Sequence, residues 1–193
     1  MTGAVAIEVR PGLSLEPMHP EFAADYFDLI ERNLDRLRLW EPWAHEKHTL
    51  VTTRTFLAWQ AQLAVSHTVL PFVIVLDGRP VGSCTARLDA TDGTAEIGYW
   101  VGAEVEGTGV ARASVGALVD LVLAREETFR VQARTAVGNE RSRALLERLG
   151  FELEGVQRSA QRMPGRRVDM ALYARVKQRR RPSKSLKRPT QPA

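Results

Sequence analysis

The junction between a strand-like run and a helix-like run, YWVGAEVEGTGVARA at residues 99–113, constrains the fold more than any other stretch. Residues 94–102 are rich in β-branched and aromatic residues, whereas residues 109–126 carry apolar residues at helical spacing. Gly107 and Gly109 stand where the helix would begin. The unpaired amides and the positive dipole end of a helix start suit an anion such as pyrophosphate. The alternative is a glycine-rich turn without a ligand.

Two common phosphate-binding motifs do not fit this junction. A P-loop needs Gly, four residues and then Gly-Lys-Ser/Thr; Gly102 and Gly107 have this spacing, but Thr108 stands where the lysine is required. A dinucleotide loop needs a glycine where Arg112 stands, and no acidic residue follows about 20 positions later. Both motifs are therefore rejected.

The remaining sequence alternates between strand-like and helix-like patterns. Strands are predicted at 12–17, at 71–88 as a hairpin, at 94–102, at 129–137 and at two segments around Pro164-Gly165; helices are predicted at 20–40, 50–67, 109–126 and 139–150. Asp77-Gly78 is a strong hairpin signal, and Asn139 is a good N-cap for the last helix. This order predicts an α/β fold with helices on both faces of a mixed sheet. Residues 94–137 should form a right-handed strand–helix–strand crossover.

Charge divides the chain into two parts. Residues 177–193 contain seven basic residues and no acidic residue, so subtracting their +7 from the total of +4 leaves −3 on residues 1–176. We predict one folded domain at 1–176 and a basic, disordered tail at 177–193. The tail is either a solvated extension or an electrostatic contact for RNA or a ribosome.

The sequence carries no evident signal for secretion, membrane insertion or metal binding. Its longest apolar runs are short, such as FVIVL at 72–76, and its N-terminus lacks a basic and apolar leader pattern. Cys84 is the single cysteine, so an internal disulfide is excluded and a reducing cytoplasm is expected. The four histidines are scattered, and no metal site is indicated.

Three segments taken together resemble the GCN5-related N-acetyltransferase (GNAT) superfamily: AEIGYWVGAEVEGTGVARASVGALVDLVL, VGNERSRALLERLGFELEGVQRSAQ and RRVDMALYARV. The similarity is closest to the ribosomal-protein N-terminal acetyltransferases, the RimJ/RimL-like branch. It covers residues 94–176 closely, and RLRLWEPWA at 36–44 extends it. The resemblance implies the GNAT fold (α+β), with a mixed, mostly antiparallel sheet of six to seven strands and helices on both faces.

The resemblance also implies that acetyl-coenzyme A is the cosubstrate. The family's pyrophosphate loop, Gln/Arg-x-x-Gly-x-Gly/Ala, falls on Glu106, Gly107, Thr108, Gly109, Val110 and Ala111. Trp100 and Val101 would line the pantetheine arm, and Asn139 falls on a family asparagine near that arm. Glu106 departs from the family pattern. A carboxylate beside a pyrophosphate is repulsive, so weaker coenzyme affinity is expected.

The acid and base of the reaction are assigned through the same resemblance. Ser142 matches the serine on the thiolate side, whose hydroxyl donates a hydrogen bond as charge develops on sulfur; the alternative is a plain first-turn serine. The branch's glutamate base falls on Gln161, whose amide cannot usefully accept a proton. Glu96 then becomes the candidate, because many members of the superfamily carry a glutamate there that acts through water. A solvent-facing strand residue is the alternative.

The acceptor side of the site is the least specified. Trp43 and Gln161 are predicted to contact the acceptor, while Trp40 either walls the cleft or packs between the helices and the sheet. Tyr99 is expected in the core because its strand alternates.

The predicted activity is acetyl transfer to a primary amine, with a protein N-terminal α-amine, such as that of a ribosomal protein, as the first choice. An α-amine has a pKa of about 7.7–8.0, against about 10.4 for lysine, so it needs a weaker base. Two alternatives stay open: a small-molecule amine such as an antibiotic or polyamine as acceptor, or a catalytically weak coenzyme A-binding module. Homodimer formation is left open.

Overall fold

The computed structural model describes residues 5–177, so the tail predicted at 177–193 lies outside the described residues except for Lys177. Eight strands and four α-helices follow one another in this described part of the chain. The strands are β1 (Ile7–Arg10), β2 (Leu13–Pro17), β3 (Val69–Leu76), β4 (Arg79–Asp89), β5 (Thr94–Val101), β6 (Arg130–Ala136), β7 (Glu152–Met163) and β8 (Arg166–Val176). The helices are α1 (Ala23–Leu37), α2 (Leu50–Val65), α3 (Val110–Ala124) and α4 (Glu140–Arg148).

Local turn and capping signals set several of these bounds. Asp77 and Gly78 have φ values of 48° and 77° between β3 and β4, as the two central residues of a tight hairpin turn require. Thr49 and Thr52 form a reciprocal capping box at the start of α2. The side chain of Asn139 caps α4, as predicted.

All eight strands form one sheet in the order β1-β2-β3-β4-β5-β6-β8-β7. Only the neighbours β5 and β6 are parallel, as the predicted strand–helix–strand unit requires. The other pairs are antiparallel, so the predicted fold class is confirmed. The sheet has one strand more than expected. That strand is β1, which has only four residues and pairs with β2 across a short turn, so it carries too little pattern to be recognised alone.

Helices cover both faces of the sheet and bury a separate core on each. Phe72 and Ile74 of β3 pack into the core formed with α3 and α4, whereas Val73 and Val75 pack against α1 and α2. This alternation follows from the period of two in a strand.

The parallel neighbours β5 and β6 separate before they end. Their pairing runs from Thr94 with Arg130 to Ile97 with Ala133 and then stops. Beyond Ile97, β5 stays paired with β4 and β6 stays paired with β8. The two strands therefore part in the middle of the sheet.

Candidate active site

The parting of β5 and β6 opens into a cleft of about 1830 Å³. Its walls include the glycine loop before α3 and the first turn of α4. They also include α1, α2 and the segment joining them, which lie on the other face of the sheet. All the predicted site residues line this cleft except Thr108 and Val110. The structure thus brings together residues that are far apart in the sequence.

The glycine loop leaves the start of α3 open. Gly107 and Gly109 have φ values of 74° and 80°, in the left-handed region that favours glycine. A Cβ added at either position would meet no atom within 4 Å, so space is free above the loop. Gly109 caps α3 without a side-chain hydrogen bond. The amides of Val110, Ala111 and Arg112 are therefore available to an anion.

The side chains of Thr108 and Val110 have structural roles. The Thr108 hydroxyl donates to the Val105 carbonyl oxygen at 2.7 Å, and Val110 is buried in the core under α3. A role for either residue in coenzyme binding therefore passes through its backbone amide.

Glu106 is held by two arginines that the sequence did not single out. Arg36, near the end of α1, donates to one carboxylate oxygen of Glu106, and Arg141, in the first turn of α4, donates to the other. Two guanidinium groups around one carboxylate leave a net positive charge beside the glycine loop. The repulsion expected from Glu106 is therefore compensated locally. These partners lie 70 and 35 residues away in sequence, so no local pattern could have identified them.

The same part of α1 also fixes the segment before the loop. Buried Asn33 accepts a hydrogen bond from the Ala103 amide at 2.8 Å and donates to the Leu29 carbonyl at 2.9 Å. Because Asn33 is buried and both of its bonds are made, α1 positions the loop firmly.

Trp100 and Val101 lie on opposite faces of β5, as strand alternation requires. Trp100 contacts Tyr26 and Trp43 on the side of α1 and α2, whereas Val101 packs against the core under α3. Beyond Ile97, the edge of β5 that faces β6 has no strand partner. Its backbone groups therefore face the cleft and are free to bind an extended ligand.

Ser142 forms a hydroxyl pair with Tyr99. The Ser142 Oγ lies 2.9 Å from the Tyr99 hydroxyl, which also lies 3.3 Å from the Ser142 carbonyl oxygen. Burial raises the pKa of Tyr99 to about 12, so the phenol stays protonated and can donate. Tyr99 packs against the core as expected, but its hydroxyl reaches the cleft. Asn139 accepts from the Ser142 amide at 3.2 Å, so its capping role is present.

Glu96 faces the cleft but is already engaged. Its Oε1 accepts from Nε and Nη2 of Arg134 at 3.0 and 2.9 Å, and its Oε2 accepts from Gln132 at 3.3 Å. This two-point contact with a guanidinium group occupies one oxygen of the Glu96 carboxylate. A water would have to reach Glu96 past these partners.

Gln161 uses its amide as a donor. Its Nε2 lies 3.0 Å from the carbonyl oxygen of Trp40, which ties β7 to the segment after α1. An ionised glutamate at this position has no proton to donate to that carbonyl. Glutamine at this position, where the family has a glutamate, therefore makes a hydrogen bond that an ionised glutamate could not make.

Glu41 lies between Trp40 and Trp43 in the sequence, and it was not among the predicted site residues. Its Oε2 accepts a hydrogen bond from Trp43 Nε1 at 2.9 Å. Burial raises the pKa of the Glu41 carboxyl above its ordinary value, and the bond from Trp43 offsets part of that rise. The motif LWEPW contained this signal, because a carboxylate between two large aromatic residues is a candidate for desolvation.

Two further statements concern residues 5–177 as a whole. No group of three or more His, Cys, Asp or Glu side chains there is arranged to hold a metal ion. Among these residues, no helix is long and apolar enough to cross a membrane.

Known proteins with similar sequences or structures share this architecture. Residues 13–152 match the family model described as acetyltransferase (GNAT) domain. The "Putative ribosomal N-acetyltransferase YdaF" of Bacillus subtilis is 31% identical over 173 residues, which is 88% of this chain and 94% of that protein. A ribosomal-protein-serine acetyltransferase of Escherichia coli is 26% identical over 171 residues, which is 88% of this chain and 96% of that protein.

A solved structure extends the likeness to the fold. RimL, a ribosomal L7/L12 alpha-N-protein acetyltransferase in complex with coenzyme A, is similar with a TM-score of 0.86. The similarity covers 89% of this chain and 98% of that chain, at 23% identity.

Proposed function

Because the chain belongs to the GNAT acetyltransferase family, we propose that it transfers the acetyl group of acetyl-coenzyme A to the N-terminal α-amine of a ribosomal protein. Family membership confirms the expected fold, the expected enzyme class and acetyl-coenzyme A as the expected acyl donor. The names of both curated relatives specify ribosomal acetylation, which supports the proposed acceptor.

One observation carries the proposal: a single cleft joins an open helix start to the Ser142–Tyr99 hydroxyl pair and to the aromatic residues on the other face of the sheet. A long ligand with a diphosphate at one end and a thioester at the other fits such a path. An amine acceptor can then approach from the side of α1 and α2.

The coenzyme side uses backbone groups and two arginines. The amides of residues 107–111 bind the pyrophosphate at the start of α3, with Arg36 and Arg141 supplying positive charge beside Glu106. The free edge of β5 at Trp100 and Val101 binds the pantetheine arm. The side-chain amide nitrogen of Asn139 faces the same arm.

The chemical step needs a donor near the sulfur and an acceptor for the amine proton. Bound acetyl-coenzyme A supplies the acetyl group and a thiolate leaving group. Ser142 donates a hydrogen bond to the sulfur as negative charge develops, and Tyr99 orients the Ser142 hydroxyl. A proton relay from the amine through water to Glu96 is retained as a proposal. It requires water to reach a carboxylate that Arg134 already holds.

The acceptor side is walled by Trp43, with Gln161 closing the cleft through its bond to the Trp40 carbonyl oxygen. At neutral pH about a tenth of an α-amine with a pKa near 8 is already neutral, whereas lysine is almost fully charged. A site with a modest base therefore favours an α-amine.

Four further proposals concern the setting of the enzyme. Residues 1–176 act as one catalytic domain, and the enzyme works in the cytoplasm, where ribosomal proteins are made. The basic residues of 177–193 attract RNA, and a homodimer is the proposed assembly. RNA binding is tested by comparing the salt-dependent affinity of the full chain with that of a chain ending at residue 176. Homodimer formation is tested by sedimentation of the full chain.

Peptides separate the proposed acceptor from the alternatives. One peptide begins with the N-terminal residues of a ribosomal protein and has Ser or Ala first; its matched control has the same sequence with a blocked N-terminus and an internal lysine. We expect mass spectrometry to find acetyl groups on the α-amine of the first peptide only. Acetylation of polyamines or aminoglycosides without acetylation of the peptide would overturn the proposed acceptor. Coenzyme binding without turnover on any amine would favour a binding module.

A further inference from the structure

Among residues 5–177, several carboxylates line the cleft, and one of them is desolvated without a cationic partner from that part of the chain. In the described residues, Glu41, Glu46, Glu96, Glu106 and Glu140 line the cleft. Arginines hold Glu96 and Glu106, while Glu46 and Glu140 are exposed to solvent. Glu41 is half-buried, and the indole N–H of Trp43 is its only hydrogen-bond donor. Desolvation favours the neutral form of a carboxylate in this position, so Glu41 is suited to accept a proton.

The surroundings of Glu41 suit a cation. Trp43 and Trp100 have ring centroids 6.2 Å apart, and Trp100 and Tyr26 have centroids 5.7 Å apart. All three rings line the cleft with Glu41. Aromatic faces attract an ammonium group, and one carboxylate among them supplies the opposite charge.

Two buried oxygen atoms on α2 provide an independent observation. Within the described part of the chain, Thr53 Oγ1 and Gln60 Oε1 have no hydrogen-bond partner, although the residues are only 4% and 6% exposed. Both residues line the same cleft as Glu41. A buried unpaired acceptor costs about 1–3 kcal/mol, so these two oxygens indicate a ligand that carries hydrogen-bond donors. An ammonium group has three donors and no acceptor.

We infer that Glu41, in place of the relay to Glu96, is the catalytic residue that binds the ammonium group of the acceptor and takes up its proton, an inference that rests on the proposed acetyltransferase function. Thr53 and Gln60 accept hydrogen bonds from the same amine or from the first residue that carries it. The acceptor is therefore a primary amine that arrives as a cation at the end of an unblocked chain.

The proton balance of this step is complete. The ammonium group gives its first proton to Glu41, and the neutral amine attacks the thioester carbonyl, forming the C–N bond. As the C–S bond breaks, the nitrogen loses a second proton, which ends on the sulfur while Ser142 donates a hydrogen bond there. Glu41 then releases the first proton to solvent. The products are an amide, a free thiol and one proton.

The test compares Glu41→Gln with Glu46→Gln in the full chain. The glutamine oxygen can still accept the bond from Trp43 Nε1, so Glu41→Gln removes the base and keeps the contact. Glu46→Gln removes a nearby exposed charge and controls for simple attraction of a cation. At pH 7 we expect kcat on an unblocked peptide to fall about 100-fold or more in Glu41→Gln, with an unchanged KM for acetyl-coenzyme A. The loss of kcat in Glu46→Gln should be much smaller than in Glu41→Gln, since Glu46 is exposed to solvent.

A pH series separates a base from a structural residue. The ratio of the wild-type kcat to the kcat of Glu41→Gln should fall as the pH rises through the pKa of the acceptor amine, about 8, because solvent then deprotonates the amine. Two other titratable groups contact the tryptophans that line the cleft with Glu41. Tyr26, on α1, has its pKa raised to about 12 by burial and stays protonated throughout. His48 packs edge-on against Trp43, and a His48→Gln variant measured in the same series removes its contribution.

Three results would overturn the inference: wild-type kcat in Glu41→Gln at pH 7, an equal loss in Glu46→Gln, or a ratio of wild-type to Glu41→Gln kcat that is constant at every pH. Circular dichroism and coenzyme A calorimetry on each variant show whether it is folded and binds the donor. Failure of the proposed function looks different, because the wild-type chain itself would then acetylate no amine.

Discussion

The Ser142→Ala substitution removes one hydroxyl from the cleft and leaves the surrounding hydrogen bonds in place. The Ser142 amide still donates to Asn139 at 3.2 Å, so the cap of α4 is kept. The Tyr99 hydroxyl still has the Ser142 carbonyl oxygen at 3.3 Å, so it is not left without a partner. We expect the free energy of unfolding to fall by about 1 kcal/mol or less.

The expected loss of turnover is larger than the loss of stability. A hydrogen bond to a charged group contributes about 1.5–3 kcal/mol, and each 1.36 kcal/mol changes a rate about tenfold. Loss of the bond to the developing thiolate therefore lowers kcat about 10- to 150-fold. The bond forms only as charge develops on the sulfur, so the KM for acetyl-coenzyme A should not change.

Initial rates measured with a thiol-reactive dye report the release of coenzyme A. Tyr99→Phe is the matched variant, because it removes the partner hydroxyl and keeps that of Ser142. We expect a smaller loss of kcat in Tyr99→Phe than in Ser142→Ala. Wild-type kcat in Ser142→Ala would refute the thiolate role of Ser142. A larger loss in Tyr99→Phe would transfer that role to Tyr99.

Three further substitutions test the electrostatics of the cleft. Glu106→Gln should tighten coenzyme A binding by about fivefold at most. One like charge near a diphosphate costs about 1 kcal/mol in water, and Arg36 and Arg141 already compensate part of that cost. Calorimetry at two salt concentrations measures this change, and weaker binding would mean that Glu106 mainly positions its arginines. The pKa of the Glu41 carboxyl is higher in the folded chain than its ordinary value. The ionised carboxylate therefore lowers the free energy of unfolding at pH 8, whereas below about pH 4 the carboxyl is protonated and this loss disappears. Glu41→Gln should therefore raise the Tm at pH 8 and leave it unchanged near pH 4, and an equal shift at both values would contradict this. Gln161→Glu places a carboxylate against the Trp40 carbonyl oxygen and should lower the free energy of unfolding by about 1–3 kcal/mol at pH 8. The loss should be smaller at pH 5, because a larger fraction of the carboxyl is then protonated. Urea unfolding at each pH measures both values.

Much of the fold follows from signals within a few residues of one another. The apolar run at 72–75 beside the Asp77-Gly78 turn predicted a strand, and in the structure its residues alternate between the two cores. The short strand β1 escaped prediction because four residues are too few to establish a period. Its pairing with β2 depends on the turn between them.

Motif resemblance identified some residues of the candidate site and missed others. Motif resemblance brought Ser142, Glu96 and the glycine loop into one predicted site, and they line the cleft apart from Thr108 and Val110. It gave no information about Arg36 or Arg141, because these reach the loop from other helices. Glu41 was overlooked although LWEPW places it between two tryptophans in the sequence, because the burial of its carboxylate depends on how that segment packs in space.

The sequence by itself determined the order of the elements, the turns and the glycine-lined start of α3, because hydrophobic period, caps and positive φ angles are local properties. Tertiary structure alone decided where β5 and β6 part, which carboxylates are neutralised and which one is desolvated. Glu96 and Glu106 meet arginines from 35 to 70 positions away, whereas Glu41 meets tryptophan. The reactivity of a carboxylate depends on the solvent and charges around it in space, and chain order does not encode those neighbours locally.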